Sequence, residues 1–269
     1  MDPETSKATR TTSVEAKTVI IHWIPQDIIN EITDHLATDP DFGSLKSCAL
    51  VSKSWVPSCQ RHLFRVVTFT WMSVERWFET FPTPEKSPAH HVRDLRAWIG
   101  GQNCIPEGFF EYTPWFTNTE SMMLMGYGGV PPMRTPSLWR LPRSVTTLII
   151  NTNVVTLVDI RNLLAQLPNL DDLLLSGSPT PVDRRRLRDI GTGLRGRFSG
   201  RLLLCGGYVD KHVVNMLLGI PTRLHFAEIR VQSMHERLYS TVRLAEACGR
   251  TLVRLSYTVD LHGDSYPFP

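Results

Sequence analysis

The chain has little of what catalytic and membrane chemistry usually needs. Its five cysteines, Cys48, Cys59, Cys104, Cys205 and Cys248, form no CxxC pair. An odd number at wide spacing argues against a disulfide framework and for a reducing compartment. Cys48 and Cys248 fall in helical apolar patterns, where buried, inert thiols are expected. No run reaches the roughly twenty apolar residues that cross a bilayer. The net charge is +3 over 269 residues, too slight to imply nucleic acid or an anionic membrane as partner. There is no HExxH and no GxSxG elbow, and no acidic cluster joins the nine scattered histidines. Metal-dependent hydrolysis and serine-hydrolase chemistry therefore have no motif to rest on. His90 and His91 adjoin, but in an extended segment they face opposite sides and make a poor metal pair. No catalytic, cofactor-binding or metal-binding residue is assigned, and an enzyme is the class with least support.

The remaining composition is ordinary for a globular protein, 42% hydrophobic and 20% charged. The opening MDPETSKATRTTSVEAK carries acids before any apolar run, so residues 1–19 read as a disordered tail and not as a signal peptide. The expected setting is the cytoplasm, the nucleus or both.

A short module follows over residues 20–65. Pro25 is placed to open a helix and Asp27 suits its positive end. Ile28, Ile29, Ile32 and Leu36 then recur at helical spacing, and Pro40 and Gly43 break the run. Ser44 is a candidate cap for a second helix, whose apolar positions are Leu45, Cys48, Ala49 and Val51. Ser52 or Ser54 can cap a third, with Pro57 in its first turn and Trp55, Val56, Leu63 and Phe64 on its apolar side. So short a stretch buries little of itself, and no metal or disulfide pattern supports it. A partner surface is the natural supplement.

Ile24-Pro25, the apolar helix, Cys48-x-x-Val51-Ser52-Lys53-x-Trp55 and the closing Leu63-Phe64 together resemble an F-box. Ile24 stands where the family has leucine, a conservative departure, and the loop ATDPDFGSLKS is longer than in compact members. The resemblance covers about forty-five residues. It implies docking to the Skp-family adaptor of a cullin–RING ubiquitin ligase. Carried over, the contact candidates are Ile24, Pro25, Ile28, Ile29 and Leu50, with Lys53 and Trp55 secondary. Ile32, Leu36, Leu45 and Cys48 read as three-helix core.

Beyond residue 65 an apolar-x-x-apolar-x-apolar unit repeats. Its middle positions are Val67, Leu95, Met122, Leu148, Leu173, Leu202, Ile229 and Leu255, separated by 25 to 29 residues. The unit VTTLIINTNVV carries Asn153 at an asparagine position, which Ser178, Gly207, Met234 and Asp260 replace elsewhere. The pattern resembles a degenerate leucine-rich repeat. Helical patterns lie between units, at VERWFETF, LVDIRNLLAQL, DKHVVNMLLGI and RLYSTVRLAEAC, the last through Leu238, Val242, Ala245 and Cys248. Residues 100–118 and 126–142 read as irregular loops.

The expected fold is α/β: an N-terminal three-helix F-box at 20–65, then an irregular leucine-rich-repeat solenoid over 66–269. About eight parallel strands would line the concave face and helices the convex face. LHGDSYPFP follows the eighth strand without a capping helix, so an apolar edge is expected there. Either the tail folds over it or the functional protein is longer.

GTGLRG (Gly191, Gly193, Gly196) matches GxGxxG. It follows a helical pattern instead of a strand, so it reads as helix exit and turn, not as a dinucleotide site. Arg184, Arg185, Arg186, Arg188, Arg195 and Arg197, with Arg201, form the strongest charge cluster. It reads as a solvated face, as a site for an acidic or phosphorylated target, or as a nuclear-signal or nucleic-acid patch. The F-box and repeat resemblances together imply a substrate receptor of an SCF-type ligase. Its partners would be the adaptor, through it a cullin, and a target protein, with no cofactor. The alternative is a scaffold or ligand-binding repeat protein outside the ligase.

Overall fold

The computed structural model describes residues 24–38, 42–100, 104–106, 108–126, 140–153, 155–177, 198–206, 211–218, 224–233 and 238–259. The tail at 1–19, GTGLRG and the arginines from Arg184 to Arg197 lie outside the described residues. The chain divides into two compact units, Met1–Cys59 and Gln60–Pro269.

The first unit holds α1 (Gln26–Leu36), α2 (Gly43–Val51) and the start of α3 (Val56–Leu63). Pro25 is the N-cap of α1 at φ −56°, and Asp27 stands in the first turn, where a carboxylate complements the helix dipole. Ser44 does not cap α2. Phe42 occupies that position, with no side-chain cap bond. Ser52 instead shapes the turn before α3, its hydroxyl accepting from the Ser54 N–H at 3.3 Å. A polar triad ties α1 to α3. Gln26 Nε2 donates to Ser58 Oγ at 2.9 Å and to Asn30 Oδ1 at 3.2 Å, and Ser58 Oγ donates to Asn30 Oδ1 at 2.6 Å.

The boundary falls at Cys59/Gln60, inside α3, and not at 65/66. Phe64 explains the difference: it stands edge-on to Trp77 at 5.7 Å and to Phe81 at 6.3 Å, so the end of α3 is committed to the second unit's aromatic cluster.

Among the described residues the second unit holds one sheet of eight parallel strands in sequence order. They are β1 (Val66–Phe69), β2 (Asp94–Trp98), β3 (Ser121–Gly126), β4 (Thr147–Thr152), β5 (Asp172–Ser176), β6 (Arg201–Cys205), β7 (Glu228–Ser233) and β8 (Arg254–Val259). Between them lie α4 (Trp71–Thr80), α5 (Phe109–Tyr112), α6 (Leu157–Gln166), α7 (Lys211–Leu218) and α8 (Leu238–Cys248). Successive parallel neighbours joined by crossovers give a solenoid-like α/β arrangement.

The register follows the repeat. Val67, Leu95, Met122, Leu148, Leu173, Leu202, Ile229 and Leu255 are paired Cα partners from one edge to the other. Because side chains alternate across a strand, this row and the one two residues on face the same side. From β2 to β7 both are buried in one continuous core. Strands β2 to β5 are entered the same way. The Arg65 carbonyl accepts from the N–H groups of Arg93 and Asp94, Arg93 from Glu120 and Ser121, Glu120 from Thr146 and Thr147, and Thr146 from Asp171 and Asp172.

Two helices differ from expectation. Residues 109–112, expected as loop, form the one-turn α5, because Phe109 and Phe110 are buried and anchor it. In α8 the buried face is Thr241, Leu244 and Cys248, while Val242 is exposed, so the apolar stripe is offset from the one expected. Asn153 lies exposed at a bend just after β4, not in a buried asparagine position. His90 and His91 sit in a 3-10 turn, not an extended segment, with ring centroids 3.9 Å apart. Gly177 and Gly206, which follow β5 and β6, both have positive φ, a conformation glycine adopts without strain.

Candidate functional site

In the first unit α1 splits its isoleucines between two sides. Ile29 and Thr33 are buried one turn apart. Ile28 is 42% exposed, and Ile32 is exposed beside it on the next turn. The hydroxyl of Thr33 donates to the Asn30 carbonyl at 3.0 Å; satisfied locally, a threonine can take a core position. At the end of α2, Leu50 is 88% exposed and Val51 is exposed beside it, and Phe42 is exposed before the helix.

Of the expected contact residues, Pro25, Ile28, Leu50 and Lys53 are exposed and Ile24 is half-buried. Ile29 and Trp55 are buried and present no surface to a partner. Trp55 is core, and among the described residues its indole N–H has no acceptor. Leu45 is core as expected; Ile32 is not. Burial raises the Cys59 thiol above its ordinary pKa, and Cys48 nearby raises it further, which disfavours the reactive thiolate.

In the second unit the sheet face opposite the core is only partly covered. Its first row, at the strand starts, carries charge. Arg96 Nη2 meets Asp94 at 2.7 Å, Arg201 Nη2 meets Asp172 at 2.5 Å, and Glu228 takes Arg230 at 2.7 Å and Arg254 at 3.4 Å. The Arg230 hydrogen bond holds the Glu228 carboxyl below the usual carboxylate range, helped by the charges of Arg230, Arg254 and Arg201. The second row is apolar in its middle, with Met123, Ile149, Leu174 and Leu203 in register on β3 to β6. At the strand ends, burial pushes the Cys205 thiol up to about 11, and Cys205 Sγ donates to Gln232 Oε1 at 3.3 Å.

A cavity of about 840 Å³ lies beside the end of α6, lined by Thr117, Arg140, Arg143, Ser144 and Gln166 among others. Its described lining has no carboxylate, histidine or cysteine, and the Ser144 hydroxyl is committed to the Thr119 carbonyl at 2.7 Å. Among the described residues no group of three or more His, Cys, Asp or Glu is placed to hold a metal ion. No described helix is long and apolar enough to cross a membrane.

The surface features are the exposed apolar residues on α1 and at the end of α2, and, on the sheet, the half-buried apolar row Met123, Ile149, Leu174 and Leu203. The helical ones were partly visible in the sequence. The second-row residues were not, because their spacing acquires meaning only once the strand register is set. Comparison with protein-family models and with curated proteins finds no match.

Proposed function

We propose that this chain is a substrate-receptor subunit of an SCF-type cullin–RING ubiquitin ligase. On this reading the N-terminal helices are an F-box that docks a Skp-family adaptor, and the strand-and-helix repeats are a degenerate leucine-rich-repeat solenoid that holds a target protein. The observation that carries the reading is the placement of Pro25, Ile28 and Leu50. They stand exposed in the first unit, and the sequence from Ile24 onward has the F-box-like order of Ile-Pro start, Cys48-to-Trp55 segment and Leu63-Phe64 close. Burying large apolar side chains against a partner contributes about 1.5–3 kcal/mol each, and Leu50, at 88% exposed, has most to gain.

The mechanism is tethering. One unit binds the adaptor, the other binds the target, and the ligase's remaining subunits carry the covalent chemistry. The gain in rate comes from effective concentration at the target's lysines. A pull-down of purified Skp-family adaptor tests this. Wild-type chain is expected to retain it, and an Ile24→Asp/Pro25→Ala variant to lose it. Equal, poor recovery by both would overturn the proposal, and adaptor capture without cullin recruitment would favour a scaffold outside the ligase.

A further inference from the structure

The second row of the open sheet face runs, strand by strand from β2 to β7, Arg96, Met123, Ile149, Leu174, Leu203, Arg230, each the register partner of the next. Four adjacent apolar side chains are thus bounded at each end by a guanidinium. The two arginines are also fixed alike. Arg96 Nε and Nη2 donate to Asp94 Oδ2 at 3.1 and 2.7 Å, and Arg230 Nε donates to Glu228 Oε1 at 2.7 Å, each acid lying two residues earlier on the same strand. A guanidinium has five N–H donors, so both arginines keep donors for a further anion. On the strands of this face four guanidiniums (Arg96, Arg201, Arg230, Arg254) meet three carboxylates (Asp94, Asp172, Glu228). A positive surplus remains.

Spacing selects the shape of an occupant. Neighbouring strands lie about 4.8 Å apart. A helix laid across them has a pitch of about 5.4 Å, so over the three intervals between the four apolar strands its turns drift from the strands by only about 2 Å. An extended segment, with same-side residues about 6.6 Å apart, falls out of step. The distance from Arg96 to Arg230 covers five strand intervals, about 24 Å, or about sixteen helical residues.

We propose that this row receives an amphipathic helix of a partner protein. Its apolar stripe would lie on Met123, Ile149, Leu174 and Leu203, and an acidic side chain near each end would meet Arg96 and Arg230. The proposal rests on the reading of the repeats as the target-holding unit and names the chemistry of the target segment. It moves recognition from the arginines at 184–197 to the sheet.

The test is fluorescence anisotropy with three labelled helical peptides of about sixteen residues and the full chain. One has a leucine stripe ended by glutamates, one the same stripe ended by lysines, and one glutamate ends with the leucines replaced by glutamine. The first is expected to bind at least about tenfold more tightly than either control. Leu174→Asp is expected to abolish that preference, and an Arg96→Glu/Arg230→Glu double variant to reverse it toward lysine ends. The arginines are surface groups, so the double variant should fold, and circular dichroism checks this. No saturable binding, equal binding of glutamate- and lysine-ended peptides, or indifference to Leu174→Asp would each overturn the proposal. Adaptor capture measured on the same proteins keeps the two readings apart. Lost peptide selectivity with intact capture rejects this inference alone, and lost capture with intact selectivity rejects the ligase reading alone.

Discussion

Leu202 and Leu255 occupy the same register row, joined through Ile229, yet Leu202 is fully buried while Leu255 is 47% exposed. The difference is positional. Leu202 lies on β6 with a paired strand on each side, whereas β8 pairs among the described strands with β7 alone. Leu202→Ala is expected to cost about 2–5 kcal/mol, as a buried large-to-small change does. Leu255→Ala should cost only about 1 kcal/mol, since much of its side chain is already in water. Chemical denaturation of both variants checks the contrast. Equal losses would mean that β8 is covered more completely than its exposure indicates.

Gly200, just before β6, has no room for a side chain. A Cβ there would lie 2.5 Å from Asp172 Oδ1 and 2.8 Å from the Asp171 carbonyl. The Asp172 carboxylate cannot easily retreat, because it also accepts from the Arg201 N–H at 2.8 Å and from its guanidinium. Gly200→Ala is therefore expected to destabilise by about 1–3 kcal/mol, in the range of overpacking changes. A variant as stable as wild type would show that the β5–β6 pairing at Gly200 is looser than its contacts imply.

The cysteines should separate by environment. Cys59, Cys205 and Cys248 are buried and Cys48 and Cys104 are half-buried. Burial raises the thiol pKa of Cys59, Cys205 and Cys248, which suppresses the reactive thiolate. Brief iodoacetamide treatment followed by peptide mass spectrometry should modify Cys48 and Cys104 first. Early labelling of Cys205 would contradict the packing of β6.

His91 supplies a pH dependence. Its pKa is held below the ordinary 6.5, by burial first and then by the charges of His90, Arg61 and Arg93. The folded state thus binds the proton less readily than the unfolded chain does. This contribution is complete above the unfolded value and falls away as pH drops through that window. Between about pH 7 and 5.5, wild type should lose more stability than His91→Gln. Glu228, whose pKa is lowered, titrates further down and leaves that range undisturbed. Identical slopes would remove His91 from the account.

The strand rows were legible because each buried position is strongly apolar and the repeat recurs at nearly constant spacing. The face of α8 was not, since its buried set includes Thr241, and a threonine does not mark an apolar stripe. The same ambiguity exchanged roles in α1. Of two adjacent isoleucines, periodicity alone does not decide which turns inward, and the choice follows Thr33, whose satisfied hydroxyl lets Ile29 and Thr33 pack together. Ile29 therefore belongs to the core and Ile32 to the surface. The triad of Gln26, Asn30 and Ser58 carried no sequence signal, because its members lie up to 32 residues apart. The apolar row between Arg96 and Arg230 was equally hidden, each member belonging to a different repeat.

The most direct test of the central claim is isothermal titration of the full chain with a purified Skp-family adaptor, comparing wild type with Leu50→Asp. Leu50 is 88% exposed, so the change should leave folding intact while placing a charge in the docking face. The account predicts saturable binding by wild type and a loss of at least about tenfold in the variant. Absence of binding by wild type, or equal affinity of the two proteins, would contradict it.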